Sequence, residues 1–203
     1  MFSASQEIKF NFQLPVLNGS NSTQTNTQTT STTTPTGTNI NLGNLKISAE
    51  EQELLLRLIH AEAGGEGTVG MAAVAKSILN RYALVQSGKV KPGEFGAKGT
   101  SLKDIIEAPN QYQPHAQGKL NTPLSAANRE KALQALNLAL NSEELKKQLQ
   151  TSGKSPDQIN KIMAATGFRA GYAFNDPSQN VNNVALGNHT FNTAGNGGLV
   201  TFA

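Results

Sequence analysis

The chain contains no cysteine, which excludes disulfides, thiolate metal sites and cysteine nucleophiles. Aromatic residues make up only 5% of it, and no run of basic residues is longer than the pair Lys146-Lys147. Neither a stacking platform for single strands nor a basic helix that reads a DNA groove is supported, so we expect no nucleic-acid partner. The formal net charge of +3 suits an anionic polymer, and it suits an ordinary soluble surface equally well.

Long apolar runs are also missing. The N-terminus has no basic start followed by an apolar core, and no stretch of about eighteen apolar residues occurs, so the sequence predicts neither a secretory signal nor a membrane span. The motifs Gly-x-Ser-x-Gly, Gly-x-Gly-x-x-Gly and the phosphate-binding loop are absent. These absences disfavour a serine hydrolase of the nucleophile-elbow type and nucleotide chemistry.

Composition divides the chain into three segments. Residues 1–17 form a segment in which apolar and polar residues alternate from Ile8 to Val16, and this period of two indicates a strand. Residues 18–46 are rich in Ser, Thr and Asn and predict a flexible linker. Residues 47–203 hold the apolar content of a single domain. The first segment either packs back on that domain or docks on another protein.

The domain is predicted to be mainly helical, in an α+β fold with a small sheet or loop region at its end. A capping box at Ser48 starts a first helix, which stops at Gly64 and Gly65. Apolar residues at helical spacing predict a second helix from about Thr68. From Gly167 onward the chain is rich in Gly and Asn, which indicates loops and short strands. Further helix starts are predicted at Ser101, at Thr122 followed by Pro123, at Asn141 and at Ser155.

Glu62 is the most informative residue, because it falls on the apolar stripe of the first helix, behind Leu55, Leu58 and Ile59. Burial at such a position raises the pKa of a carboxyl group toward neutrality, as a general acid requires. The alternative is an exposed Glu at a helix end, or one paired with an arginine such as Arg57 or Arg81.

Glu66 follows the two glycines, and its position relative to Glu62 cannot be fixed from spacing. It is either a second active-site carboxylate or a residue that caps the second helix. His60, His115 and His189 do not occur in a zinc-deaminase or metalloprotease motif, so we expect no metal and no cofactor.

Six segments together, in this order, resemble one known family. They are distributed over about residues 50–192, and the ordered set is more specific than any one of them. The segments are Leu-Ile-His-Ala-Glu-Ala-Gly-Gly-Glu-Gly (58–67), Val-Gly-Met-Ala-Ala-Val-Ala-Lys-Ser-Ile-Leu-Asn-Arg (69–81), a short helix (101–106), Asn-Gln-Tyr-Gln-Pro (110–114), Gly-Tyr-Ala-Phe-Asn-Asp-Pro (171–177) and Gly-Asn-His-Thr-Phe (187–191). The family that they resemble is the spore cortex-lytic type of bacterial cell wall hydrolase.

The resemblance implies a lysozyme-like fold related to lytic transglycosylases, in which a Glu at the end of the first long helix faces a sugar-binding cleft. Glu62 occupies that place and is the expected catalytic acid. Phe174 and Phe191 are expected in the core. The residues expected to line the cleft, or to belong to its framework instead, are Glu66, Gln111, Tyr112, Asn175 and His189.

The implied substrate is peptidoglycan, cut between N-acetylmuramic acid and N-acetylglucosamine. The lytic route is favoured, and a hydrolytic muramidase or a non-catalytic wall-binding module of a phage particle are the alternatives. Without an export signal, we expect the protein to reach the wall in a virion, docked to a phage tail or baseplate protein through residues 2–16, or to be released by lysis as an endolysin. Residues 141–158 form a long region that departs from the family and puts spore germination in doubt.

Overall fold

The computed structural model describes residues 40–42, 45–170, 183–192, 194–195 and 198–199. Side chains are described for residues 46–170 and 183–192. The predicted docking segment, most of the predicted linker, Phe174 and Asn175 lie outside these residues. The described part is mainly helical, with a small three-stranded antiparallel sheet. Its α-helices are α1 (Ala49–Ala63), α2 (Gly67–Gln86), α3 (Leu102–Ile106), α4 (Gln113–Ala116), α5 (Ala126–Leu140), α6 (Ser142–Thr151) and α7 (Pro156–Ala164).

The start of α1 confirms the predicted capping box. The Ser48 hydroxyl accepts from the Glu51 backbone N–H at 3.2 Å, and the Glu51 carboxylate accepts from the Ser48 backbone N–H at 3.0 Å. Two donors that the first helical turn leaves without partners are thereby satisfied. The helix ends at Ala63, with Gly64 at its C-cap, as the two glycines predict.

Helix α2 lies at the centre of the domain. From Gly70 to Leu79 every residue is buried, so this helix has no solvent face over that length. A helix that is apolar on all sides must be enclosed by other elements, and α2 contacts α1, α3, α5, α6, α7 and the first strand of the sheet. The sequence predicts its start at about Thr68, and the structure confirms this to within one residue.

The three-stranded sheet consists of β3 (Gly167–Ala170), β4 (Val184–Leu186) and β5 (His189–Asn192), in the order β3-β5-β4. In its register Phe168 lies opposite Phe191, and Ala170 opposite His189. Phe191 is fully buried, as expected from the sequence. The central strand β5 contacts α7, which anchors the sheet to the helices. A further two-stranded pair joins β6 (Ala194–Gly195) to β7 (Gly198–Leu199).

Two features differ from the sequence predictions. Helix α5 begins after Ser125, whose hydroxyl accepts from the Asn128 N–H at 3.3 Å, so the predicted start at Thr122 is wrong. Thr122 has extended backbone angles, as a residue before proline prefers, and it closes the short 3-10 helix Lys119–Asn121. The other starts predicted at Ser101, Asn141 and Ser155 are confirmed.

A β-hairpin precedes α1 and was not predicted. Strand β1 (Ile40–Leu42) pairs with β2 (Leu45–Ile47), within the end of the segment that its composition assigns to the linker. The Tyr82 hydroxyl of α2 donates to the Lys46 carbonyl at 2.8 Å, so β2 is attached to the helical core. None of the described helices is long and apolar enough to cross a membrane.

Candidate active site

Glu62 lies in the last turn of α1, half-buried, beyond the fully buried Leu55, Leu58 and Ile59. Burial raises the pKa of its carboxyl group to about 7, against the opposing effect of the Lys119 charge. A carboxyl group with such a pKa is partly protonated at neutral pH. It is therefore able both to donate a proton and to accept one.

Neither arginine considered as a partner for Glu62 pairs with it. Arg57 donates through Nη1 to the Leu120 carbonyl at 3.0 Å. Arg81 donates to the Thr166 carbonyl and to the Gln111 side chain. Within the described residues Glu62 forms no ion pair, and this is why desolvation dominates its pKa.

Glu66 occupies the N-cap position of α2, the place that one of its two alternative roles requires, but its side chain forms no capping hydrogen bond. The side chain instead turns inward to the sheet. Its Oε1 lies 2.6 Å from Nδ1 of His189, and only 6% and 4% of the two side chains are exposed. The hydrogen bond between them gives a partner to one polar atom of each buried side chain.

Two glycines leave the space that the Glu66 side chain fills. A Cβ atom on Gly187 would lie 2.7 Å from Oε2 of Glu66, and one on Gly70 would lie 2.7 Å from its Cβ. Gly187 also has a φ of +59°, in the left-handed region that favours glycine. The turn between β4 and β5 therefore approaches Glu66 more closely than any other residue type at position 187 would permit.

Gln111 and Tyr112 are held by Arg81, a residue whose contribution to the site the sequence did not reveal. Arg81 Nη1 donates to Gln111 Oε1 at 2.8 Å, and its guanidinium carbon lies 5.4 Å from the centre of the Tyr112 ring. The same guanidinium carbon lies 5.2 Å from the centre of the Phe95 ring. A signal was available, because Arg81 is one of only two cationic residues in the largely apolar helix α2, the other being Lys76.

Aromatic contacts connect Tyr112 to the sheet. Phe168 lies 6.0 Å from Tyr112 and 5.4 Å from His189, both measured between ring centres, and it meets His189 edge-on. His189 in turn lies 6.2 Å from Phe191. The long-range contacts of this cluster bring Gln111 and Tyr112 to the same region as His189 and Glu66, although they are far apart in the sequence.

The pKa of Tyr112 depends on burial and on two charged neighbours, Arg81 and Glu62. Burial raises this pKa, the Arg81 charge lowers it, the Glu62 charge raises it, and the close approach of the Arg81 donors lowers it. The residue is 2% exposed, and its hydroxyl makes no hydrogen bond of ordinary geometry within the described part of the chain.

The structure thus brings together five of the six predicted site residues, Glu62, Glu66, Gln111, Tyr112 and His189, and the sixth, Asn175, lies outside the described residues. Among the residues described, no group of three His, Asp or Glu side chains is arranged to hold a metal ion. Comparison of the chain with models of protein families, with curated proteins and with solved structures gave no match.

Proposed function

We propose that this chain is a lysozyme-like peptidoglycan glycosidase that acts as a lytic transglycosylase, with Glu62 as its general acid and base. The observation that carries the proposal is the half-buried carboxyl group at the end of α1, whose pKa burial raises to about 7. A glycosidic oxygen is a poor leaving group unless it is protonated as the bond breaks. A carboxyl group that keeps its proton near neutral pH supplies that proton.

In the first step the Glu62 carboxyl gives its proton to the oxygen that links N-acetylmuramic acid to N-acetylglucosamine. The bond from the muramyl C1 to that oxygen breaks, and its electron pair goes to the oxygen, which leaves as the 4-hydroxyl of N-acetylglucosamine. The acetamide of the muramyl residue stabilises the positive charge on C1. The Glu62 carboxylate then takes the proton of the 6-hydroxyl while O6 bonds to C1, which yields a 1,6-anhydro end and regenerates the acid.

The position of Glu66 supports the lytic route over hydrolysis. A hydrolytic glycosidase of the usual kind needs a second carboxylate, either to activate water or to attack C1. Oε1 of Glu66 is held by His189, and Oε2 faces Gly187, at a depth where only 6% of the side chain is exposed. A carboxylate enclosed in this way supports the fold around the site and does not reach a sugar carbon. The muramyl acetamide and 6-hydroxyl of the substrate therefore replace the second carboxylate.

The test is mass spectrometry of purified peptidoglycan after digestion with the wild type, with Glu62→Gln, and with Glu107→Gln as a matched control at an exposed residue. We expect anhydromuramyl products from the wild type and the control, and none from Glu62→Gln. Reducing muramyl ends would make the protein a muramidase instead. No product from a folded wild type would overturn the proposal and favour a wall-binding module.

A further inference from the structure

Arg81 is buried, with 7% of the residue exposed, and the rest of the site depends on where its donors point. Its Nε donates to the carbonyl of Thr166, at the start of the sheet, and its Nη1 donates to the side chain of Gln111. The preceding residue, Asn80, donates to the carbonyls of Met163 and Ala165, both at 2.9 Å. One turn of α2 therefore fixes both the link between α7 and β3 and the segment that carries Gln111.

A guanidinium group has donors and no acceptor, and this decides which way the Gln111 amide faces. The oxygen Oε1 must point to Arg81, so the NH₂ group points away from it. Within the described residues that NH₂ group donates to nothing, and Gln111 is only half-buried. Gln111 therefore presents two N–H donors.

The neighbouring groups have the same polarity. The Glu62 carboxyl carries a proton over part of the neutral range, and Tyr112, whose hydroxyl is enclosed, adds no acceptor to the surface. The Arg81 charge beneath them disfavours a cationic ligand group. A ligand that fits this surface offers oxygen acceptors, and an amide carbonyl is the strongest neutral acceptor that a peptidoglycan strand has.

We propose that Arg81 is a positioning residue that locks Gln111 as a hydrogen-bond donor to an amide carbonyl oxygen of the glycan strand. This inference rests on the proposed function, since it names the group on the same substrate that Gln111 recognises. Two sources carry such a carbonyl, namely the N-acetyl groups of both sugars and the amide that joins the muramyl lactyl group to its stem peptide. Arg81 itself acts through Gln111 and does not touch the substrate.

The experiment measures dissociation constants in the full chain carrying Glu62→Gln, so that no turnover occurs. The probes are a peptide-free tetrasaccharide of alternating N-acetylglucosamine and N-acetylmuramic acid, its de-N-acetylated form, and the form that retains stem peptides. The added substitutions are Gln111→Met, which removes the donors without a charge, and Gln111→Glu, which removes them but keeps an acceptor for Arg81. Gln117→Met, at an exposed glutamine, is the matched control.

We expect the fully acetylated tetrasaccharide to bind about tenfold more tightly than the de-N-acetylated one, because the loss of one hydrogen bond changes a dissociation constant by roughly that factor. Both Gln111 variants should reduce this difference, and Gln117→Met should keep it at full size. Arg81→Lys keeps the charge but lacks the planar guanidinium group that donates to both Gln111 and Thr166. It should therefore reduce the difference in affinity between the acetylated and the de-N-acetylated tetrasaccharide. A purely structural defect would instead weaken the binding of all probes equally. Loss of affinity confined to the stem-peptide probe would identify the lactyl amide as the source.

The inference would be overturned if both Gln111 variants kept the full acetyl-dependent difference and lost no affinity for the stem-peptide probe. Equal affinities of all three probes for every variant would overturn it as well. Peptidoglycan digestion by the wild type decides the proposed function separately. A protein that cleaves peptidoglycan but fails the binding test retains its proposed function and loses this inference.

Discussion

Glu66 and His189 are 123 residues apart in the sequence, and Oε1 of the first lies 2.6 Å from Nδ1 of the second. The contact joins the junction of α1 and α2 to the central strand of the sheet. Both side chains are nearly enclosed, so neither group is able to exchange this partner for water. The sheet is thereby attached close to the end of α1, where Glu62 lies.

The first prediction concerns the close approach of Gly187 to Glu66. Gly187→Ala places a Cβ atom 2.7 Å from Glu66 Oε2, in a residue with a φ of +59°. Gly153→Ala has the same type of strain, at a φ of +84°, but no neighbouring atom lies within 4 Å. We expect about 1 kcal/mol of lost unfolding free energy from strain at Gly153, and about 1–3 kcal/mol more at Gly187 from overpacking. Urea denaturation measures both, and equal losses would contradict the predicted contact.

The second prediction concerns the decrease in the free energy of unfolding that the buried carboxyl group of Glu62 causes when it ionises. Its pKa is about 7 in the folded chain against 4.5 in the unfolded one, so between these values the folded state binds more protons. The free energy of unfolding should therefore fall as the pH rises from 4.5 to 7, and the cost is complete above 7. Glu62→Gln removes the titration, so its stability advantage over the wild type should be absent below pH 4.5 and grow across this window. A difference that does not vary with pH would contradict the assignment.

Local chemistry explains why most helix starts were predictable. Ser48, Ser101 and Ser155 each carry a capping box whose two partners are three residues apart, so the sequence alone contains the whole interaction. The start at Thr122 is predicted by a different rule, a cap residue with proline at the first helical position, and it is wrong because Ser125 makes the actual cap three residues later. Where two residues compete for one helix start, the surrounding packing decides between them.

The sequence predicts which residues belong to the site better than it predicts which of them contact one another. Burial of Glu62 followed from its place on the apolar stripe, which is a property of one helix. The Glu66–His189 contact depends on a turn at Gly64 and Gly65 and on strand pairing late in the chain, and no spacing rule encodes either. Arg81 and Gln111, 30 residues apart, meet for the same kind of reason. Such pairs follow from tertiary packing.

The third prediction concerns Lys76, which is buried in α2 and donates to the Ser142 hydroxyl at 3.2 Å. Burial, together with the smaller effect of the Lys146 charge, lowers the pKa of Lys76 to about 8. The unfolded chain then binds more protons between about pH 8 and 10.5, so this residue should make stability rise with pH in that range. Lys76→Met should remove the rise.

Lys146→Gln provides the control for this prediction. It removes the repulsion between the two ammonium groups, so the pKa of Lys76 should increase and the onset of the rise should move to higher pH. The free energy of unfolding, measured as a function of pH for all three proteins, tests both effects. A rise of the same size and position in Lys76→Met would show that another group causes it.

The fourth prediction concerns the pH dependence of activity and rests on Glu62 as the acid. The value of kcat/KM on peptidoglycan should fall as the pH rises through about 7, because the free enzyme then loses the proton that the first step uses. The Lys119 charge lowers the pKa of Glu62, so Lys119→Gln should move this fall to higher pH. Lys98→Gln changes the net charge equally at another exposed residue and should leave its position unchanged. Equal shifts in both variants would mean that net charge sets the profile, and a profile without a fall near pH 7 would remove Glu62 from the role of acid.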